Sequence, residues 1–143
     1  MDLLRRIKYG TVGGTLPDVK GKRIDGVEEC LSDYRGRVVL LDFWATWCRP
    51  CVAALPKLRE LVAELPADRF ALVAISVDEE FRTVTRFVQD EAMPWPNWHA
   101  GEGSDIAWLL QIEEFPTDVL VDERGKIVTR FFSLGGLLAP FTT

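Results

Sequence analysis

The chain has 143 residues, of which 48% are apolar and 27% are charged, and its formal net charge is −5. This length and composition are typical of a single globular domain with a sizeable core. The acidic balance argues against nucleic acid as a partner, because a phosphate-binding surface is basic. No apolar run approaches the ~20 residues of a membrane span, and the N-terminus shows no signal peptide. We therefore expect either a cytoplasmic protein or a chain that begins after a removed signal or anchor.

The first third of the chain is predicted to lead into a buried strand. Residues 1–14 end in several glycines, and we interpret them as an N-terminal arm before one domain at 15–143. Glycines within residues 20–26 occupy positions where a tight turn needs a positive φ, so this stretch predicts a small hairpin. Residues 37–44 are apolar on both faces, which is typical of a central strand that is covered on both sides.

The remaining pattern alternates helices and strands. Residues 51–65 predict a helix, because apolar residues recur at spacings of three and four, and Pro56 should kink it without ending it. Residues 70–77 predict a second buried strand, and residues 80–91 predict a helix with Phe81 among its inward residues. Four shorter segments follow: extended residues 94–99, a short helix capped by residue 104 or 105, and strands at 118–121 and 126–132. This order predicts an α/β fold with a mixed sheet.

Two cysteines lie at the junction between the first central strand and the helix after it, in the run Cys48-Arg49-Pro50-Cys51. The free N–H groups and the positive dipole end of a helix favour a thiolate, which is the attacking species in thiol–disulfide exchange. We predict that Cys48 is exposed at the helix N-terminus and attacks, whereas Cys51 is less accessible and resolves the mixed disulfide. Arg49 adds a cation beside Cys48, and Pro50 stiffens the loop.

An acidic residue, Asp42, interrupts the apolar strand before the cysteines. By the period of two it shares a face with Leu40 and Trp44, so we expect its carboxyl group to be buried and its pKa to be raised. A proton acceptor in this position could deprotonate Cys51 when that thiol attacks the mixed disulfide. The alternative interpretation is a strand-end aspartate that is hydrogen-bonded to the backbone.

The run from Val39 to Cys51 resembles the TlpA/ResA-type branch of the thioredoxin superfamily, whose members are extracytoplasmic thiol–disulfide oxidoreductases. Further matches lie at Pro56, at the Phe-Pro-Thr run of residues 115–117, and at residues 31–37 before the first central strand. The segment 80–99 matches the insertion of that branch. The resemblance covers about residues 16–132, which is most of the chain.

The resemblance implies a thioredoxin fold: a central mixed β-sheet flanked by helices, with an N-terminal hairpin and a helix–strand insertion. It implies catalytic roles for Cys48, Cys51 and Asp42, and a cis bond before Pro116. The expected substrate-binding residues are Trp47, Arg49, Pro50, Phe115, Pro116 and Thr117. It further implies protein thiols or disulfides as substrates, an upstream redox partner, no cofactor or metal, a monomer, and an extracytoplasmic location with any membrane attachment through an anchor absent from this chain.

The sequence departs from the family at three places. Many members of the branch have a glutamate three residues after the second cysteine, where this chain has Ala54. The lysine that partners the buried acid in thioredoxin itself would fall at Ala74. The final helix of the family is predicted to be short or missing.

Two other functions stay open on the sequence alone. A redoxin-type thiol peroxidase shares this fold but needs a threonine three residues before its reactive cysteine, where this chain has Ala45 and Thr46 follows one step late. A metal-handling module is the second, because Cys30 and His99 could complete a Cys₃His set with the cysteine pair.

Overall fold

The computed structural model describes residues 12–101 and 105–131. Near its start, strand β1 (Lys20–Lys22) pairs antiparallel with β2 (Glu28–Cys30). Gly26 has a φ of +92° in the connecting turn, a conformation that glycine adopts without strain. The predicted N-terminal hairpin is therefore confirmed. The predicted short or missing final helix, and residues 1–11 of the predicted arm, lie outside the described residues.

A five-stranded mixed sheet forms the centre of the molecule. Its strands are β3 (Val38–Trp44), β4 (Phe70–Ser76), β5 (Asn97–His99), β6 (Thr117–Val121) and β7 (Ile127–Phe131). They lie in the order β5-β4-β3-β6-β7, in which β3, β4 and β5 are parallel and β6 runs antiparallel to both β3 and β7. The predicted α/β fold with a mixed central sheet is confirmed.

Among the described residues, four α-helices connect these strands: α1 (Arg49–Ala53), α2 (Leu55–Glu64), α3 (Phe81–Asp90) and α4 (Asp105–Leu109). Because successive side chains of a strand alternate between faces, β3 contributes to two separate cores. Leu41 and Phe43 pack with residues of α4 on one face. Leu40 and Trp44 pack on the other face with a cluster that includes both Cys48 and Cys51, and this cluster also contains residues of α2 and α3. We call the second core the cysteine-face core. None of the helices within 12–101 and 105–131 is long and apolar enough to cross a membrane.

The helix after the cysteines is divided into two segments. The prediction was one kinked helix over residues 51–65, but α1 begins at Arg49 and ends at Ala53, and α2 begins at Leu55. Ala54, between them, keeps helical angles, with φ −79° and ψ −14°. Pro56 lies in the first turn of α2, where its missing N–H would be unpaired in any helix. The proline thus marks the start of a second helical segment.

The insertion contains α3 and the short edge strand β5. Val84 of α3 is completely buried, whereas Phe81 at the first position of α3 is 48% exposed, so the prediction of an inward Phe81 is wrong. Its ring contacts the ring of His99 at 5.7 Å between centroids, because the helix begins at the sheet edge near β5. Trp98 of β5 packs its ring directly over Gly21, and this contact joins the insertion to the N-terminal hairpin.

Candidate active site

Cys48 and Cys51 form a disulfide at the N-terminus of α1, with their Cα atoms 5.3 Å apart. Cys48 is the N-cap residue, with extended angles of φ −90° and ψ 105°. Its sulfur accepts a hydrogen bond from the backbone N–H of Cys51 at 3.3 Å. The sulfur of Cys48 therefore occupies the place of a capping oxygen, where the free N–H groups of the first turn favour a negative charge.

The predicted difference in accessibility between the two cysteines does not appear in this disulfide-bonded form. Cys48 is 5% exposed and Cys51 is 3% exposed, so both are buried. The bond between the two sulfurs holds them against each other, and both belong to the cysteine-face core. The two cysteines are instead distinguished by position, because Cys48 caps the helix and Cys51 lies within its first turn.

The loop before Cys48 is held by Asp78, which follows the end of β4. Its carboxylate accepts the backbone N–H of Thr46 at 3.0 Å and the Thr46 hydroxyl at 2.7 Å. It also accepts the Ser76 hydroxyl at 2.6 Å, and its own backbone carbonyl lies 2.7 Å from Nε2 of His99. Asp78 was not among the predicted site residues. The available signal was an acidic residue directly after a buried parallel strand, at the edge where such strands present functional residues.

The expected substrate-binding residues lie in two stretches of the chain, residues 47–50 and 115–117, which meet through the side chains of Trp47 and Phe115. Trp47 is 58% exposed, and its ring meets the ring of Phe115 edge to face at 5.8 Å. Phe115 in turn packs against the cysteine-face core. The bond between Phe115 and Pro116 is cis, which confirms that prediction, and the Thr117 hydroxyl donates to the carbonyl of Glu114 at 2.7 Å. Two others of the expected set, Arg49 and Pro50, are exposed at the start of α1, whereas Pro116 and Thr117 are buried.

Asp42 is buried, as predicted, and it faces a second acid. Its Cα pairs in register with that of Asp118 on β6, and the two side chains are 4% and 2% exposed. Burial raises the pKa of Asp42, and the hydrogen bond with Asp118 lowers it in part. Burial, and then the charge of Asp42, raise the pKa of Asp118. Asp118 was not among the predicted site residues, because the pairing partner of Asp42 depends on the register between β3 and β6.

The acid pair lies in a row of side chains that crosses the sheet. Ala74 of β4 is the other neighbour of Asp42, and Phe131 of β7 is the other neighbour of Asp118. Residues paired in register point to the same face, so the row lies on the face that carries Leu40 and the two cysteines. Asp42 thus has the carboxyl group of Asp118 on one side. On its other side, Ala74 stands at the position of thioredoxin's lysine.

The residues around the disulfide do not favour the two alternative functions. The position that a redoxin-type peroxidase fills with threonine is Ala45, which is fully buried, and the Thr46 hydroxyl is directed to Asp78. Within residues 12–101 and 105–131, no three His, Cys, Asp or Glu side chains form a group that could hold a metal ion. Cys30 is a free, half-buried cysteine, and the Cys₃His set considered above does not assemble among the described residues.

Comparison with known proteins identifies the family. The sequence model of the AhpC/TSA family matches residues 12–131. The chain belongs to the AhpC/TSA family. The match begins before the hairpin and ends with β7, so it includes every element described above. A solved structure supports the predicted fold: the thioredoxin domain of a thiol-disulfide oxidoreductase from Bacteroides vulgatus gives a TM-score of 0.80 at 24% identity, covering 93% of this chain and 99% of that one.

Two relatives are more similar in sequence. The thiol-disulfide oxidoreductase ResA of Oceanobacillus iheyensis is 34% identical over 124 residues, which cover 84% of this chain and 64% of that protein. A putative thiol:disulfide interchange protein DsbE from Chlorobium tepidum is 29% identical with a TM-score of 0.78, covering 84% of each chain. The predicted resemblance to ResA-type proteins is confirmed. The chain spans slightly less than two thirds of the length of the curated relatives that it matches.

Proposed function

We propose that this protein is a thiol–disulfide oxidoreductase that exchanges disulfides with other proteins through Cys48 and Cys51. The observation that carries the proposal is the disulfide at the start of α1, in which the sulfur of Cys48 accepts the N–H of Cys51. The same backbone dipole would stabilise a Cys48 thiolate after reduction of the disulfide. A relative named as a thiol-disulfide oxidoreductase and a solved structure named as a thiol:disulfide interchange protein support the same reaction class.

The reaction has two exchange steps. The Cys48 thiolate attacks one sulfur of a partner disulfide, the partner's S–S bond breaks, and one partner thiolate leaves while a mixed disulfide forms. Cys51 then loses its proton and attacks the Cys48 sulfur, which releases the second partner thiolate. The partner disulfide is reduced to two thiols, and the protein gains the Cys48–Cys51 disulfide. The reverse sequence oxidises a partner dithiol, and the reduction potential of the pair decides the direction.

Asp42 is the proton acceptor for Cys51 in this proposal. It lies on the same face of β3 as the residues that pack with both cysteines, and its carboxyl group is buried. A buried carboxylate with a raised pKa is a better base near neutral pH than an exposed one. Replacement by Asn keeps the shape but removes the base, so the Asp42→Asn variant should resolve mixed disulfides more slowly near neutral pH.

The docking surface for the partner chain is formed by Trp47 with Arg49 and Pro50 at the start of α1, and by Phe115, Pro116 and Thr117 around the cis bond. The exposed Trp47 ring and its contact with Phe115 support this assignment, since an amphipathic aromatic residue suits a transient interface. Protein thiols and disulfides, an upstream redox partner, a monomeric state and an extracytoplasmic location belong to the same proposal, and they follow from the resemblance to ResA-type proteins.

Insulin reduction with an added dithiol tests the proposal. Wild-type protein should accelerate the precipitation of the insulin B chain, Cys48→Ser should abolish the acceleration, and Cys30→Ser is the matched control that should leave it unchanged. Cys51→Ser should accumulate a mixed disulfide that a non-reducing gel detects. Acceleration that persists in Cys48→Ser would overturn the proposal. If the wild type consumed peroxide at a rate similar to that of its insulin reduction, this result would favour the peroxidase alternative.

A further inference from the structure

Ala74 stands at the position of the lysine that accompanies the buried acid in thioredoxin, and a second acid lies on the other side of Asp42. Ala74 lies in register beside Asp42 on one side, and Asp118 lies beside it on the other. Asp118 is 2% exposed, and burying two carboxylates in contact without a cation is too costly for both to be ionised. At least one of the two carboxyl groups must therefore carry a proton at neutral pH.

The surroundings indicate which carboxyl group holds that proton. Asp118 lies between Asp42 and the ring of Phe131, and its Oδ1 has no hydrogen-bond partner among the described residues. An ionised carboxylate with a bare buried oxygen is far more costly than a neutral acid that donates its one proton to Asp42. Asp42 lies on the central strand, β3, which leads to the cysteines, and it receives that hydrogen bond. The proton accordingly belongs on Asp118.

No charged group from the neighbouring elements takes over this task within the described residues. The row presents Ala74 from β4 and Phe131 from β7, and the cysteine-face core presents the two cysteines of α1 and apolar residues of α2 and α3. Cations of α2 and β7 are engaged with other groups: Lys57 with Glu60, Arg59 with Glu91, and Arg130 with the carbonyls of Leu110 and Gln111. Arg49 is exposed.

We propose that Asp118 is a positioning residue for Asp42: as the neutral acid of the pair, it donates a hydrogen bond that keeps Asp42 ionised and available to accept the proton of Cys51. This inference rests on the proposed function. During resolution the proton passes from the Cys51 sulfur to the Asp42 carboxylate, and the Cys51 thiolate displaces the partner thiolate from Cys48. Asp118 keeps its own proton throughout, so the pair cycles between one proton and two.

Two substitutions separate the hydrogen bond from the acid. Asp118→Asn keeps an N–H donor toward Asp42 and cannot titrate, whereas Asp118→Leu has a similar size and no donor. In a Cys30→Ser background, the reduced protein is mixed with Ellman's disulfide, and the second release of thionitrobenzoate reports resolution by Cys51. Asp118→Leu should slow this release about tenfold at pH 7 and move its pH profile upward by about one unit. Asp118→Asn should restore the wild-type profile, and Asp118→Leu should add no effect to Asp42→Asn.

Infrared spectroscopy tests where the proton lies without using activity. Ordinary carboxyl groups are ionised at pH 7, so a carbonyl band of a neutral carboxylic acid reports the buried pair. The band should be present in the wild type and in Asp42→Asn, and it should be lost in Asp118→Asn. A band that persists in Asp118→Asn, or a pH profile that Asp118→Leu leaves unchanged, would overturn the inference. Failure of the proposed function has a different appearance: the second release would not depend on Cys51.

Discussion

The carboxylate of Asp78 accepts both the backbone N–H and the hydroxyl of Thr46, which lies two residues before Cys48. Asp78 itself is fixed by Ser76 at the end of β4, where the Ser76 hydroxyl donates to the carboxylate and accepts the Asp78 N–H at 3.0 Å. The loop that carries Trp47 and Cys48 is thus tied to the neighbouring strand by side chains. Positioning of this kind matters for an exchange reaction, which needs three sulfur atoms in line.

The first prediction concerns this link. Asp78→Ala leaves two donors of Thr46 and the hydroxyl of Ser76 without their acceptor, so the free energy of unfolding should fall by about 2–3 kcal/mol. The exchange rate of Cys48 should fall about tenfold, because small displacements of a reacting group are costly. Urea denaturation and insulin reduction measure the two effects. Asp90→Ala, at an exposed position at the end of α3, is the matched control, and an Asp78→Ala protein as active and as stable as this control would contradict the prediction.

The exposed ring of Trp47 gives the second prediction. Trp47→Ala removes apolar area beside Phe115 that is 58% exposed in the free protein, so its loss should change the free energy of unfolding by less than about 0.5 kcal/mol. The KM for a protein disulfide should rise several-fold, whereas the rate with a small aromatic disulfide should stay within about twofold of the wild type. Val128→Ala, which shortens an exposed apolar residue on β7, should change neither value. Equal losses on both substrates would indicate a role for Trp47 in the chemistry.

The fold was predictable from the sequence because its signals are local. Apolar runs, turn glycines and the Cys48–Cys51 spacing each lie within a few residues, and the resemblance joined them into one topology. Asp118 was missed because it lies beside Asp42 only through the register of β3 and β6, and the two residues are 76 positions apart in sequence. Asp78 was missed for a similar reason, since it acts on a loop 32 residues away. Phe81 was wrongly assigned to the core, because helical periodicity does not show where the sheet beneath a helix ends.

The contact between the hairpin and the insertion gives the third prediction. A Cβ on Gly21 would lie 2.0 Å from Cε3 of Trp98, a ring that is 2% exposed and whose Nε1 donates to Glu29 at 2.8 Å. Gly21→Ala should therefore push β1 away from β5 and lower the free energy of unfolding by about 1–3 kcal/mol. Urea denaturation measures this loss. Lys22→Ala, at an exposed neighbouring position, should lie within about 0.5 kcal/mol of the wild type. If both variants were equally stable, the close packing of Trp98 on Gly21 would be refuted.

The last prediction concerns the pH dependence of stability that the buried acid pair creates. Burial raises the pKa of both Asp42 and Asp118 in the folded protein, whereas in the unfolded chain both carboxyl groups titrate near pH 4. Above that pH the folded state binds more protons than the unfolded state does. The stabilising contribution of the pair is therefore fully present at low pH and is lost as the pH rises, at about 1.4 kcal/mol per pH unit for each retained proton.

Asp118→Asn removes the group that retains its proton through neutral pH. The variant and the wild type should therefore differ most clearly in the slope of the free energy of unfolding against pH. Between pH 4 and pH 7 the free energy of unfolding of the oxidised wild type should fall by about 4 kcal/mol relative to that of Asp118→Asn. The lowered pKa values of Asp18, Asp25 and Asp122 act equally in both proteins and cancel in this difference. Guanidinium denaturation at several pH values, on protein with the Cys48–Cys51 disulfide intact, provides the measurement. Parallel pH curves for the two proteins would mean that Asp118 is ionised in the folded state, and the pair would then need a cation that residues 12–101 and 105–131 do not place beside it.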